Sequence, residues 1–137
     1  MKKVSILLMF VLLVSCKKEK LSPEGPTEIR IRNLSDLNFT GVIIKTSEYD
    51  EDADTIPVLA AHATSDYMRF KKAYPKAEIS AVGSSGGTQV IYSTGNVTYT
   101  YMQYLSTQRV TFEVYISNMN SHILTISNVI PEEELVP

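Results

Sequence analysis

Arg109-Val110-Thr111-Phe112-Glu113-Val114-Tyr115-Ile116-Ser117 alternates between apolar and polar side chains without a break. Successive side chains of an extended strand point to opposite faces. The alternation therefore puts Val110, Phe112, Val114 and Ile116 toward a core and Thr111, Glu113 and Tyr115 outward. The same period runs through Glu28–Leu34, where Glu28, Arg30 and Arg32 alternate with Ile29 and Ile31. Phe39–Thr46 is rich in β-branched residues and breaks at an acidic loop, and Ile56–Leu59 carries Pro57, which marks an edge strand. Asp66–Lys72 and Lys76–Val82 follow, parted by Ala73-Tyr74-Pro75. Thr88–Ser93 and Asn96–Tyr104 flank Thr94-Gly95, a spacing that suits a tight hairpin turn. Ile123–Asn128 closes the set. No window of a dozen residues carries a 3.6-residue stripe, and about seven to nine short strands predict an all-β, antiparallel immunoglobulin-like β-sandwich. The cysteine–tryptophan core of antibody domains is absent, since the chain has one Cys and no Trp.

The one cysteine, Cys16, ends Leu13-Val14-Ser15-Cys16 behind an apolar run that opens with Met1-Lys2-Lys3. Lys2 and Lys3 form a positive n-region, and Val4–Ser15 holds twelve uncharged residues. A spanning helix needs about 20 apolar residues, so the run reads as a helical signal peptide over 1–15. The tetrad resembles the lipobox of bacterial lipoproteins, which implies acylation of Cys16 and a membrane as partner through that lipid. Two or three acyl chains anchor stably. Lys17 stands where an aspartate would resemble an inner-membrane retention signal, so the cell envelope, and within it the outer membrane, is the expected location. Lipid on Cys16 also removes the chain's single thiol from disulfide, redox and nucleophile roles.

Residues 16–26 then read as lipid anchor and linker, with Pro23, Gly25 and Pro26 denying ladder bonds. The sandwich domain is expected over 27–130 and a frayed acidic tail over 131–137. Of the 137 residues, thirteen are Lys or Arg and fifteen Asp or Glu, a net charge of −2. That balance offers no basic field for nucleic acid. One domain with a real core fits this length.

Two stretches carry a wider resemblance. Ile29-Arg30-Ile31-Arg32-Asn33-Leu34-Ser35-Asp36, running on to Phe39 and Val42, is one. Leu59-Ala60-Ala61-His62-Ala63-Thr64-Ser65-Asp66-Tyr67, then Phe70, Ala73, Tyr74 and Ala77, is the other. Together they resemble a family of small uncharacterised bacterial lipoproteins, with departures at His62, where a glycine is usual, and at Pro75. The resemblance implies a compact β-sandwich on a lipid anchor and no reaction.

Candidate chemistry is sparse. Gly83-Ser84-Ser85-Gly86-Gly87 matches G-x-S-x-G in form, with Glu113 and His122 downstream, and would make Ser85 a hydrolase nucleophile. A strand follows it where that motif needs a helix, so a flexible hairpin loop is expected and no catalytic residue is assigned. Glu48, Asp50, Asp52 and Asp54 space carboxylates as a weak calcium site would, but Thr55 and Ala61 occupy the Gly and Glu positions of an EF-hand loop. Asp54-Thr55-Ile56 resembles a bacterial O-glycosylation motif at Thr55. Three N-x-S/T sequons, at Asn33, Asn38 and Asn96, carry little meaning in a bacterial chain. His62 and His122 lack the spacing of a zinc signature, and no metal or cofactor is expected. Eight tyrosines stand against no tryptophan. Tyr99 and Tyr101 share one face of the expected 96–104 strand while Tyr104 points the other way. Tyr92, Tyr99, Tyr101 and Tyr115 are candidates for an aromatic face that meets a sugar or a protein. The composite expectation is a non-catalytic envelope binding module for an envelope protein or glycan. The alternative is an adhesion or fimbria-related accessory subunit that pairs through an open strand.

Overall fold

The computed structural model describes residues 25–135; Cys16, the leader and residues 136–137 lie outside the described residues. Eight strands run as β1 Thr27–Asn33, β2 Phe39–Lys45, β3 Ala53–Leu59, β4 Met68–Phe70, β5 Glu78–Ser85, β6 Thr88–Ser93, β7 Gln108–Asn118 and β8 Ile123–Glu134. The chain is all-β among the described residues, with a single 3-10 turn at Asp50–Asp52 before β3. Among the described residues no helix is long and apolar enough to cross a membrane. The strands form one sheet in the order β3-β2-β5-β6-β8-β7-β1-β4, nearly closed into a barrel.

The expectation of purely antiparallel pairing is corrected in two places. β1 runs parallel to β7 over Glu28↔Arg109 to Asn33↔Val114, and β6 meets β8 in parallel at one pair, Ser93↔Ile123. Strand direction depends on which distant segments meet, and hydrophobic period alone does not encode it. The period itself is realised. Ile29 and Ile31 of β1 and Val110, Phe112 and Val114 of β7 are buried together with Leu124 of β8. They join Phe39, Val42, Ile44, Ile79, Ala81 and Tyr92 from β2, β5 and β6 in one core.

The outward face of β1 and β7 is held by charge. Arg109 Nε donates to Glu28 Oε2 at 2.8 Å and its Nη1 bonds Glu133, while Arg32 reaches Glu113 at 3.4 Å. Arg30 meets both Thr111 Oγ1 and Glu132, and the guanidinium groups of Arg30 and Arg109 lie 4.9 and 5.0 Å from the Tyr67 ring. Glu132 is held below the usual carboxylate range by its bond from Thr111 and then by Arg30.

Three boundaries move. The expected strand at Asn96–Tyr104 is a loop, and Thr94-Gly95 is not a hairpin turn. Glu78 Oε1 accepts from Val97 N at 3.0 Å, Tyr99 O accepts from Met102 N at 3.2 Å, and Tyr101 takes a φ of 64°. Those bonds take backbone donors a ladder would use, so tertiary context overrides β-propensity. The acidic tail is not frayed: β8 continues through Glu134, with Val110↔Pro131, Arg109↔Glu133 and Gln108↔Glu134. At the other end Gly25 is buried, and a Cβ there would lie 1.9 Å from the Lys71 carbonyl oxygen, so residues 25–26 belong to the domain and not to the linker.

β3 and β4, the two ends of the sheet, are drawn alongside each other at two seams. At one, the fully buried Asn33 donates from Nδ2 to the carbonyls of Leu37 at 2.8 Å and Ala60 at 3.1 Å. At the other, Thr46 Oγ1 donates to Lys72 O at 3.0 Å and Thr46 N to Asp52 O at 2.9 Å.

Candidate functional site

Three tyrosine rings stack beside the second seam. Tyr74 lies between Tyr99, with ring centroids 4.8 Å apart and planes at 24°, and Tyr104, at 4.7 Å and 27°. Tyr74 follows the Lys72-Ala73 segment and its N–H donates to Thr46 O at 3.2 Å. Tyr99 and Tyr104 come from the 94–107 loop, pinned by Leu105 N to Ala73 O at 2.7 Å and by the Tyr99 hydroxyl donating to Lys45 O at 3.1 Å. A pocket of about 400 Å³ opens here, lined by Tyr74, Tyr99, Tyr101, Tyr104 and Glu48 among others. Tyr101 stands fully exposed at its rim. Lys72 Nζ lies 5.2 Å from the centroid of the Tyr104 ring.

The electrostatics of the pocket are those of neutral phenols near a carboxylate. Hydrogen bonding with Tyr104, then burial, then the charge of Glu48 raise the Tyr74 hydroxyl above the usual phenol range. Burial and then the charges of Glu78 and Glu48 push Tyr99 up to about 12. At neutral pH the site thus offers hydroxyls that donate or accept, a carboxylate that accepts, and one free aromatic face.

A second concavity, about 530 Å³, runs between the free edge of β3 and the segment from Ala63 to Met68. On the adjoining outer face, Val58 pairs with Thr40, Thr40 with Val82 and Val82 with Ile91. Val58 and Ile91 are each about two-thirds exposed, at 66% and 65%.

The residues singled out from sequence fare differently. Of the aromatic set, only Tyr99 and Tyr101 meet. Tyr92 is fully buried in the core, tilted on Phe39 at 6.3 Å, and its hydroxyl has no partner. Tyr115 sits on β7, opposite Thr125 of β8. Tyr104, expected on the far face, joins through Tyr74, because the segment is a loop and face alternation does not apply. Sequence reasoning missed Tyr74 as a member; its one signal is the pairing of Tyr with Pro75 between two strands.

The four carboxylates of the calcium reading diverge. Asp52 is buried and accepts from Ser47 Oγ at 2.7 Å, Asp50 pairs with Lys45 Nζ at 2.9 Å, and Asp54 accepts from Thr55 N. Glu48 turns to the tyrosine pocket. Among the described residues no group of three or more His, Cys, Asp or Glu could hold a metal ion. Thr55 is exposed on the edge strand β3, opposite Ile43. Ser85 lies in the β5–β6 hairpin opposite Thr88, while Glu113 is bound to Arg32 and the His122 ring packs edge-on against Tyr92. His62, at a φ of 60°, meets Asp36 Oδ1 at 2.8 Å on the surface.

No protein-family model matches the sequence, and no curated protein matches it. Among solved structures, the NMR structure of a protein from Eubacterium rectale is similar, at 17% identity and a TM-score of 0.48, over 80% of this chain and 95% of that one.

Proposed function

We propose that this chain is a non-catalytic binding module held in the bacterial cell envelope, at the outer membrane, by lipid on Cys16, and that the tyrosine pocket binds a glycan. The observation that carries the reading is the stacked Tyr99–Tyr74–Tyr104 set with Glu48 and the exposed Tyr101 around one opening. Sugars present hydroxyls in the ring plane and apolar C–H faces above it. A free tyrosine ring supplies a platform for the face, and phenols with a carboxylate meet the hydroxyls. The lipobox tetrad and the resemblance to small lipoproteins support the anchor. Ladder pairing between the β6 and β8 edges of the two four-stranded halves is limited to one residue pair, Ser93↔Ile123, which favours the finer reading of an immunoglobulin-like sandwich. Titration of the protein with a panel of oligosaccharides, followed by NMR, tests the function. Shifts confined to 96–107 and Glu48, and lost in Tyr101→Ala without loss of folding, are expected. Absence of any glycan response at millimolar concentration refutes it.

The groove between β3 and Ala63–Met68 favours a second reading, the adhesion or fimbria-related accessory subunit. Unpaired backbone groups of an edge strand accept an added strand. A chain that stays monomeric and captures no extended peptide across β3 rules this reading out.

A further inference from the structure

The tyrosine pocket lies where the chain enters the domain. Gly25, the first described residue, packs on the carbonyl of Lys71, and Thr27 Oγ1 donates to Ser106 O. Those contacts fall on the two segments that deliver Tyr74 and Tyr104. Eight residues, Lys17–Glu24, separate Cys16 from Gly25. At roughly 3.3–3.6 Å per residue even a fully extended tether lets Gly25 stand no more than about 30 Å from Cys16. A lipid on Cys16 therefore attaches on the side of the domain where Gly25 meets Lys71, while the β7–β8 turn lies at the far end of its ladder from Gln108↔Glu134.

The chemistry of the pole suits that position. Tyr101 carries an apolar ring with a polar tip into solvent, the kind of side chain that settles at headgroup level. Lys71 and Lys72 lie beside the entry point; Lys71 reaches Glu51 at 3.6 Å and Lys72 covers Tyr104. We infer that the tyrosine pole faces the membrane that anchors the chain, and that the ligand of the pocket is the polyhydroxylated headgroup of a lipid in that membrane. This rests on the anchor and glycan readings above and narrows them, since a site held within a tether's reach of its own bilayer meets headgroups before any soluble sugar.

The absence of tryptophan makes the test clean. Tyr101→Trp and, as a control on the distal part of β7, Tyr115→Trp each add a single indole to the full acylated protein. Each is reconstituted in phosphatidylcholine vesicles with brominated acyl chains, with and without a glucosyl-diacylglycerol, and methyl glucoside serves as the soluble probe. Acylation of Cys16 is first read from the mass of the N-terminal peptide. The expected result is quenching and a blue shift for Tyr101→Trp alone, strengthened by the glycolipid. In parallel, Tyr101→Ala weakens glycolipid binding by roughly tenfold. An acylated protein whose Tyr101→Trp indole is not quenched, or responds only to methyl glucoside, overturns the inference and leaves the glycan site standing. Unmodified Cys16 overturns the anchor and the inference together. Response to neither glycolipid nor methyl glucoside overturns the inference, and silence across the whole oligosaccharide panel removes the glycan site as well.

Discussion

Asn33→Ala is expected to cost more stability than any other removal of one small polar side chain in this domain. Asn33 sits at the end of β1, fully buried, with every polar atom engaged. Nδ2 donates to Leu37 O at 2.8 Å and to Ala60 O at 3.1 Å, and Oδ1 accepts from Ser35 N at 2.9 Å and Ser35 Oγ at 2.6 Å. These bonds join the end of β1 to the β1–β2 and β3–β4 loops at the seam where β3 approaches the β1–β4 edge. A typical protein hydrogen bond contributes about 1 kcal/mol net, and a buried partner left bare adds to the loss. Truncation to Ala therefore removes roughly 3–4 kcal/mol. At about 4 °C per kcal/mol for a domain near this size, Tm falls by roughly 12–16 °C.

Asn33→Asp separates the donor contribution from the acceptor contribution. The carboxylate keeps the bonds from Ser35 but turns an oxygen toward the carbonyls of Leu37 and Ala60, so at pH 7 it is expected to be less stable than Ala. Acidification returns one O–H donor and narrows that gap. Urea unfolding followed by far-UV circular dichroism gives the change in midpoint, with an unchanged slope marking a change in stability and not in compactness. A cost below about 1 kcal/mol for Asn33→Ala, or Asn33→Asp as stable as the parent, would show that the seam is not held by this amide.

Three further outcomes follow from named contacts. Gly83→Ala places a Cβ 3.0 Å from Tyr92 Cε2, a ring with no free side in the core, and is expected to cost roughly 1–3 kcal/mol by chemical denaturation. In alkaline titration at 295 nm, Tyr99 ionises only near pH 12 and Tyr74 also ionises late. Because the unfolded phenols lose their protons near 10 and the folded ones later, stability falls as pH rises through that window, whereas tyrosines titrating normally with no fall would contradict the stacked site. Truncation after Ile130 removes the pairs Val110↔Pro131, Arg109↔Glu133 and Gln108↔Glu134 together with the Glu132 and Glu133 ion pairs. It is expected to lower the urea midpoint measurably, while a midpoint equal to the parent's would mark the segment as dispensable.

β7 and β1 were legible because alternate residues enter the core, although Thr111, expected outward, is fully buried beneath Arg30 and Glu132. β8 was legible only up to Asn128. Its continuation is stabilised by Glu132 and Glu133 meeting Arg30 and Arg109, residues 102 and 24 positions away, and Pro131 sits at a register shift where the ladder is already irregular. Partners that distant leave no local signal. Val97-Thr98-Tyr99-Thr100-Tyr101 has the composition of a strand and folds as a loop because Glu78 captures its first donor and Tyr74 the ring of Tyr99. The pocket was half visible for the same reason: Tyr99 and Tyr101 stand out in sequence, whereas Tyr74 and Tyr104 become members only through stacking.

The acidic run makes the physical point most sharply. Asp50, Asp52 and Asp54 are indistinguishable by composition, yet Asp52 alone is buried, accepting from Ser47 Oγ at 2.7 Å and from Lys72 N at 3.4 Å. It ties the end of β2 to the segment that leads into Tyr74, and Thr46, bonded to Asp52 O, Lys72 O and Tyr74 N, completes the joint. Glu48 lies two residues beyond Thr46. Closing the sheet therefore also places the carboxylate and the central ring of the pocket, and the loop bonds to Ala73 and Lys45 fix the two outer rings. Side chains already ordered lose little further freedom on binding. In this pocket that loss falls chiefly on Tyr101, the one aromatic left free in solvent, which makes Tyr101 the residue whose replacement separates binding from folding.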